Sequence, residues 1–232
     1  MKKQFTALAI ISGLSVAPAM AQDLDIKITN LTNAIHFTPL LVAAHDSSSH
    51  LFMAGSAASS SLQAMAEGGD ISGLATDIQA TGGNIIENPA AGLLAPGSNT
   101  SFTLMSNDSN TRLSLTAMML PTNDGFVGID SLMIPSDKGI YTYYLNGYDA
   151  GTEANDELIS GGGAPGVAGI PADPGGHAGT GGSGVAMADS NTMIHIHRGN
   201  LGDSDANAGS SDLDSSVHRW LNPVAELVIT IN

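Results

Sequence analysis

The sequence predicts an all-β protein built as an antiparallel sandwich. Three observations carry that expectation. Several stretches alternate apolar and polar residues as a half-buried strand does, residues 24–32 (LDIKITNLT) being the clearest. Turn residues punctuate these stretches, and only one segment places its apolar residues at helical spacing. The composition agrees: 28 glycines and 4% aromatic residues suit short strands joined by long loops.

Ahead of the first strand, Lys2 and Lys3 precede an apolar run over residues 5–16 and the small-x-small triplet Ala19-Met20-Ala21. This is the pattern of a secretory signal peptide cleaved after Ala21, of bacterial character, which makes residues 22–232 a secreted or periplasmic domain. The apolar run is too short for a bilayer span. Residues 24–32 form the first strand, and 36–44 (HFTPLLVAA) a second apolar run that Pro39 pushes toward an edge or a bulge. Residues 57–67 carry Leu62, Met65 and Ala66 at helical spacing behind a serine-rich start, and are the one short helix. A Gly/Pro-rich connection over 82–98 follows. Residues 101–106 and 112–120 read as a hairpin around Asn107-Asp108-Ser109-Asn110. Segments 140–148, 192–198 and 224–231 supply further strands. Between them, 160–184 lies within a Gly-rich loop insertion at 160–190; it has few large side chains and reads as a flexible or disordered excursion.

The chain contains no cysteine, which removes disulfides and cysteine-based zinc sites. Stability must come from core burial, or from burial helped by a metal. The net charge of −15 becomes −17 once Lys2 and Lys3 are removed, which argues against nucleic acid and anionic membranes as partners and suits divalent cations. No G-x-S-x-G elbow, H-E-x-x-H helix, phosphate-cradling loop or cysteine nucleophile is present, and the expectation is a protein that is not an enzyme.

Three groups of residues are candidate ligands. Asp124, Asp149 and Glu153 sit beside Gly and Asn turn residues at the ends of β-rich segments, with Lys138 the one basic residue nearby. Such carboxylates suit a hard cation such as Ca²⁺; ordinary solvated loop acids are the competing reading. Asp203, Asp205 and Asn207 alternate as in an EF-hand loop, with Asp214 at the twelfth position. There Ala208 occupies the place of the turn glycine, and Gly209 comes one residue late. His195 and His197, two apart on an expected strand, share a face and offer a start for a Cu or Zn site, with His177, Met187 and Met193 as further donors. Of the other histidines, His36, His45 and His50 are expected to serve packing and hydrogen bonding, with His45-Asp46 a local pair.

The order HFTPLLVAAHD, LFMAGSAAS, EGGDISGL, MMLPTNDGFVGIDSL, YDAGTE and NPVAELVITIN resembles the spondin domain over nearly all of residues 22–232. DGFVGIDSL and YDAGTE at their mutual spacing are the most specific pieces. The resemblance implies a C2-like β-sandwich with calcium bound at one end by Asp124, Asp149 and Glu153, the last standing where the family more often has Asp. It further implies a secreted role in adhesion or matrix interaction, through a protein or glycan ligand at the cell surface. The alternative is a secreted or periplasmic Cu- or Zn-binding protein using the His195-x-His197 strand.

Overall fold

The computed structural model describes residues 22–232, so the signal-peptide reading of residues 1–21 lies outside the described residues. Ten strands form one antiparallel sheet that curls until its two edges nearly meet. In chain order they are β1 (Asp23–Asn30), β2 (His36–Phe37), β3 (Leu41–His45), β4 (Asn84–Glu87), β5 (Asn99–Met105), β6 (Arg112–Leu120), β7 (Gly125–Met133), β8 (Gly139–Asp149), β9 (His195–Ile196) and β10 (Ala225–Ile231). The spatial order is β4-β3-β6-β7-β8-β10-β1-β5, with β2 flanking β6 and β9 flanking β8. Asn84 of one edge donates to the carbonyl of Met105 on the other at 2.8 Å, which ties the edges together.

Period-two patterning builds the interior. Leu24, Ile26 and Ile28 of β1 face Leu227, Ile229 and Ile231 of β10 inside the sheet, while Asp25 and Lys27 point out. β3 and β6 are buried on both faces, because two cores meet across them. Val42, Ala44, Leu113, Leu115 and Met119 join the interior core. Leu41, Ala43, Met118 and Leu120 join a second core on the outer face, beneath α1 (Ser60–Gly68) and α2 (Ser72–Ala80). There Phe52 meets Phe126 edge-on with ring centroids 5.0 Å apart, and Tyr148 stacks on Phe126 at 5.6 Å.

The structure corrects several details of the expected layout. There are two helices, not one. Ser59 caps α1 by accepting the Leu62 N–H at 3.1 Å, and Gly69, at φ +73°, closes it with a left-handed turn. Gly68 and Gly69 thus mark the break between two helices, and Leu74, Ala75 and Ile78 supply the second apolar stripe. Residues 101–106 and 112–120 are not a hairpin. β5 pairs with β1 and β6 with β3 and β7, so the turn at Asn107, whose Oδ1 caps Ser109 and Asn110, carries the chain across the sandwich. Pro39 splits the second apolar run into β2 and β3, and the 82–98 connection hides the edge strand β4. The strand expected at 192–198 shrinks to His195–Ile196.

The Gly-rich excursion, expected to be flexible or disordered, is instead packed. Ile170 is fully buried and bridges to Ile159, and Gly184 and Ser183 bond back to the carbonyls of Ser210 and Gly209. Glycine makes that packing possible: the Gly163 carbonyl lies where a Cβ on Gly68 would sit, so backbone rather than side chain fills the space.

Candidate metal centre

The ends of β7 and β8 bring the first group of acids to one end of the sheet. Thr122 Oγ1 accepts the Gly125 N–H at 3.0 Å and donates to the Met119 carbonyl, fixing a tight turn that delivers Asp124 to the head of β7. Gly125 pairs with Asp149, the last residue of β8, and Asp149 in turn pairs with His195 of β9. Gly151, at φ +70°, donates to Asp149 Oδ1 at 2.8 Å and turns the chain back, so that the N–H groups of Thr152 and Glu153 reach Asp124 Oδ2 at 2.8 and 3.1 Å. A β-carbon at Gly151 would press on the backbone of Thr192 and Met193, so close approach as well as positive φ calls for glycine here.

Asp124 and Asp149 are buried and Glu153 is half-buried, with no Lys or Arg ion-paired to them among the described residues. Asp124 is fully buried, and its Oδ1 has no hydrogen-bond partner. Burial pushes its carboxyl up to about 7, with the neighbouring Asp149 charge adding to the rise. Glu153 accepts from Gly169 N–H through Oε2 at 3.0 Å and leaves Oε1 buried and unpartnered. Burial pushes it up to about 7 as well, helped by the charges of Glu67 and Asp124. Asp149 Oδ2 accepts from Asn155 Nδ2 at 2.7 Å. Among the described residues no Lys or Arg pairs with any of the three; the ion pairs present all involve histidine. The three acids do not close onto one point, since no choice of one oxygen from each places all three within 4.8 Å of one another.

The other candidates are placed differently. In the 203–214 loop, Asp203 accepts the N–H groups of Asp205, Ser210 and Ser211, hydrogen bonds that hold its carboxyl below its ordinary value. Asp205 caps Asn207, and Asp214 caps Ser216 through backbone and hydroxyl. These acids thus stabilise their own turns, and the structure does not gather them around a common point. His195 and His197 do not share an environment either. His195 is partly exposed, with Nε2 3.8 Å from Asp149 Oδ2. His197 is buried against Trp220 with ring centroids 5.0 Å apart, and burial pulls it down to about 4. Its Nδ1 accepts the Gly199 N–H at 2.9 Å, which puts the proton of the neutral ring on Nε2 and takes away that lone pair. Met187 and Met193 are exposed.

Three features escaped the sequence reading. Glu67, fully buried at the end of α1, lies close enough to raise Glu153 and is held by Gln63 Nε2 and Gly166 N–H at 2.8 and 2.6 Å. Asn155 bridges Asp149 and Asp189 through Nδ2, each contact 2.7 Å. Asp173, His177 and His218 converge, and among the described residues they are the one trio whose ligand atoms all lie within 4.8 Å of each other. Asp173-x-x-x-His177 was visible as a spacing, but His218 arrives from a distant turn, for which the sequence holds no signal. His45 and His50 serve hydrogen bonding as expected: His45 bonds the Asp46 carbonyl and Ser114, and His50 the Asp130 carboxylate.

No described helix is long and apolar enough to cross a membrane. No curated protein shows a significant match to the chain. The sequence profile of the Spondin_N family matches residues 29–160, more than half of the chain. That span covers β2 through β8 and includes Asp124, Asp149 and Glu153, whereas β9, β10 and all of 161–232 lie beyond it. The antiparallel all-β sheet and the profile agree, and the chain belongs to the Spondin_N family, that of the spondin N-terminal domain.

Proposed function

We propose that this is an exported, non-enzymatic adhesion domain that binds calcium through Asp124, Asp149 and Glu153. One observation carries the calcium reading. Two buried carboxylate oxygens, Asp124 Oδ1 and Glu153 Oε1, have no partner, at an end of the sheet that holds a third acid and no Lys or Arg ion pair. Unpaired buried carboxylates are costly, and a hard divalent cation relieves both at once. Calcium takes six to eight oxygens at about 2.3–2.6 Å, so carbonyls and water complete the shell. Glu153, the longest of the three arms, has the greatest reach for the adjustment the site needs. Bound there, the ion would neutralise the acids and tie the 122–125 turn to the 150–153 turn.

Family membership supports an extracellular setting, and the absence of a long apolar helix among the described residues is compatible with it. The adhesive role is proposed on the resemblance to the spondin domain alone. Calorimetric titration tests the ion: Ca²⁺ should bind the wild-type protein, and Asp149→Ala should abolish the heat. No saturable heat at millimolar Ca²⁺ would sink the reading. Attachment of cells or matrix to immobilised protein, reversed by chelator, tests the adhesive role; attachment indifferent to chelator, or none, would separate the fold from that role.

A further inference from the structure

We propose that Asp173, His177 and His218 form a second metal site, for a divalent transition-metal ion of which zinc is the best match. The site lies beyond the residues that match the family profile, where the Gly-rich excursion meets the 214–218 turn, and it is independent of the calcium reading. Asp173 Oδ2 stands 2.6 Å from His177 Nδ1 and 3.1 Å from His218 Nε2, and the two rings cross at 85° with centroids 4.8 Å apart. The Asp173 and His218 side chains are 0% and 1% exposed, against 45% for His177, so two donors are fixed inside and the third faces solvent. Gly175 N–H binds Asp173 Oδ1 at 2.7 Å and leaves Oδ2 aimed between the rings.

Two imidazoles and one carboxylate with an open side are a donor set that zinc accepts, water taking the fourth place. Calcium prefers oxygen throughout, so the two sites would select different ions. Zinc bonds of about 2.0–2.1 Å place neighbouring tetrahedral donors about 3.3 Å apart. Asp173 Oδ2 stands 2.6 and 3.1 Å from the two nitrogens, the spacings of N–H···O bonds, so loading widens both.

The protons balance without net release. In the metal-free protein His177 donates its Nδ1–H to Asp173, and loading moves that proton to Nε2 on the exposed side of the ring. His218 accepts the Asp214 N–H on Nδ1 at 3.0 Å, so its own proton sits on Nε2 and points at Asp173. Loading transfers this proton to Nδ1 and gives up the Asp214 bond. That exchange works against affinity, and it makes the Asp214 amide a reporter of the ion. The rival account is a hydrogen-bonded clamp that never takes a metal.

The experiment titrates Zn²⁺ by calorimetry into the purified protein in excess Ca²⁺. One equivalent should bind; His177→Ala, whose exposed side chain spares the fold, and Asp173→Asn should each weaken binding by about tenfold or more, and His195→Ala should not. Zinc-edge absorption should show nitrogen and oxygen neighbours at about 2.0–2.2 Å, and the Asp214 amide resonance should move on loading. Absence of saturable Zn²⁺ binding would establish the clamp. Wild-type affinity in His177→Ala, or its loss in His195→Ala, would place any ion elsewhere and overturn the proposal.

Discussion

Asp124 keeps one carboxylate oxygen bound by Thr152 and Glu153 and buries the other without a partner, while Glu153 does the same beneath Gly169. Both carboxyls are raised to about 7, far above their unfolded values, so the folded state holds protons that the unfolded state has already released. The metal-free protein should therefore lose stability as pH rises from about 4 through about 7. His197, pulled down to about 4, acts in the opposite sense: its contribution is lost as pH falls from 6.5 through about 4. Between about pH 4 and 7 two such carboxyls oppose one histidine, and the carboxyls dominate. Thermal melts in chelator should show a falling midpoint across that window, and Asp124→Asn should flatten the fall; an unchanged slope would count against the burial account. Gly147 offers a test of packing with no charge involved. A β-carbon there would lie 2.6 Å from Trp220, so Gly147→Ala should cost about 1–3 kcal/mol in a denaturant titration.

Helix α1 and the strap of residues 158–170 sit beside the acids and set their surroundings. Ser59→Ala removes the α1 cap and should cost about 1 kcal/mol by the same titration, with Ca²⁺ binding unaffected. The strap donates Gly166 N–H to the buried Glu67 and Gly169 N–H to the half-buried Glu153, so it caps both acids with backbone alone. Composition could not reveal this, because a glycine-rich run reads as loose until the carboxylates it serves are seen. Strands with strict alternation, such as β1 and β10, were legible, since a one-residue slip would turn every core side chain outward. β5 and β6 were legible as strands but not as partners: their turn is a good one, and pairing is decided by strands distant in sequence. The acids of the 149–153 turn were legible because Asp149, Gly151 and Glu153 are close in sequence; Glu67 was not, lying about 80 residues away on a helix face where acids are commonly solvated.

Across the whole molecule, a net charge of −15 is carried by a chain with no disulfide, and three acids crowd one end of a nearly closed sheet. An ion bound only by the native state raises stability by mass action, about 2.7 kcal/mol at a hundredfold excess over Kd. For a chain of this size that corresponds to a rise in melting temperature of about 5–10 °C over the chelated protein. Differential scanning calorimetry with and without Ca²⁺ checks it, and equal midpoints would mean the acids bind no ion. The family profile ends at residue 160, yet β10 fills the place between β8 and β1, so the sheet is completed by a segment outside the match. The most direct test of the calcium site is a crystal structure of the protein grown in Ca²⁺. It should show an ion bonded to Asp124 Oδ1 and Glu153 Oε1 at about 2.3–2.6 Å, with Asp149 in the same shell. Density for water alone between these carboxylates, or none, at millimolar Ca²⁺ would contradict it.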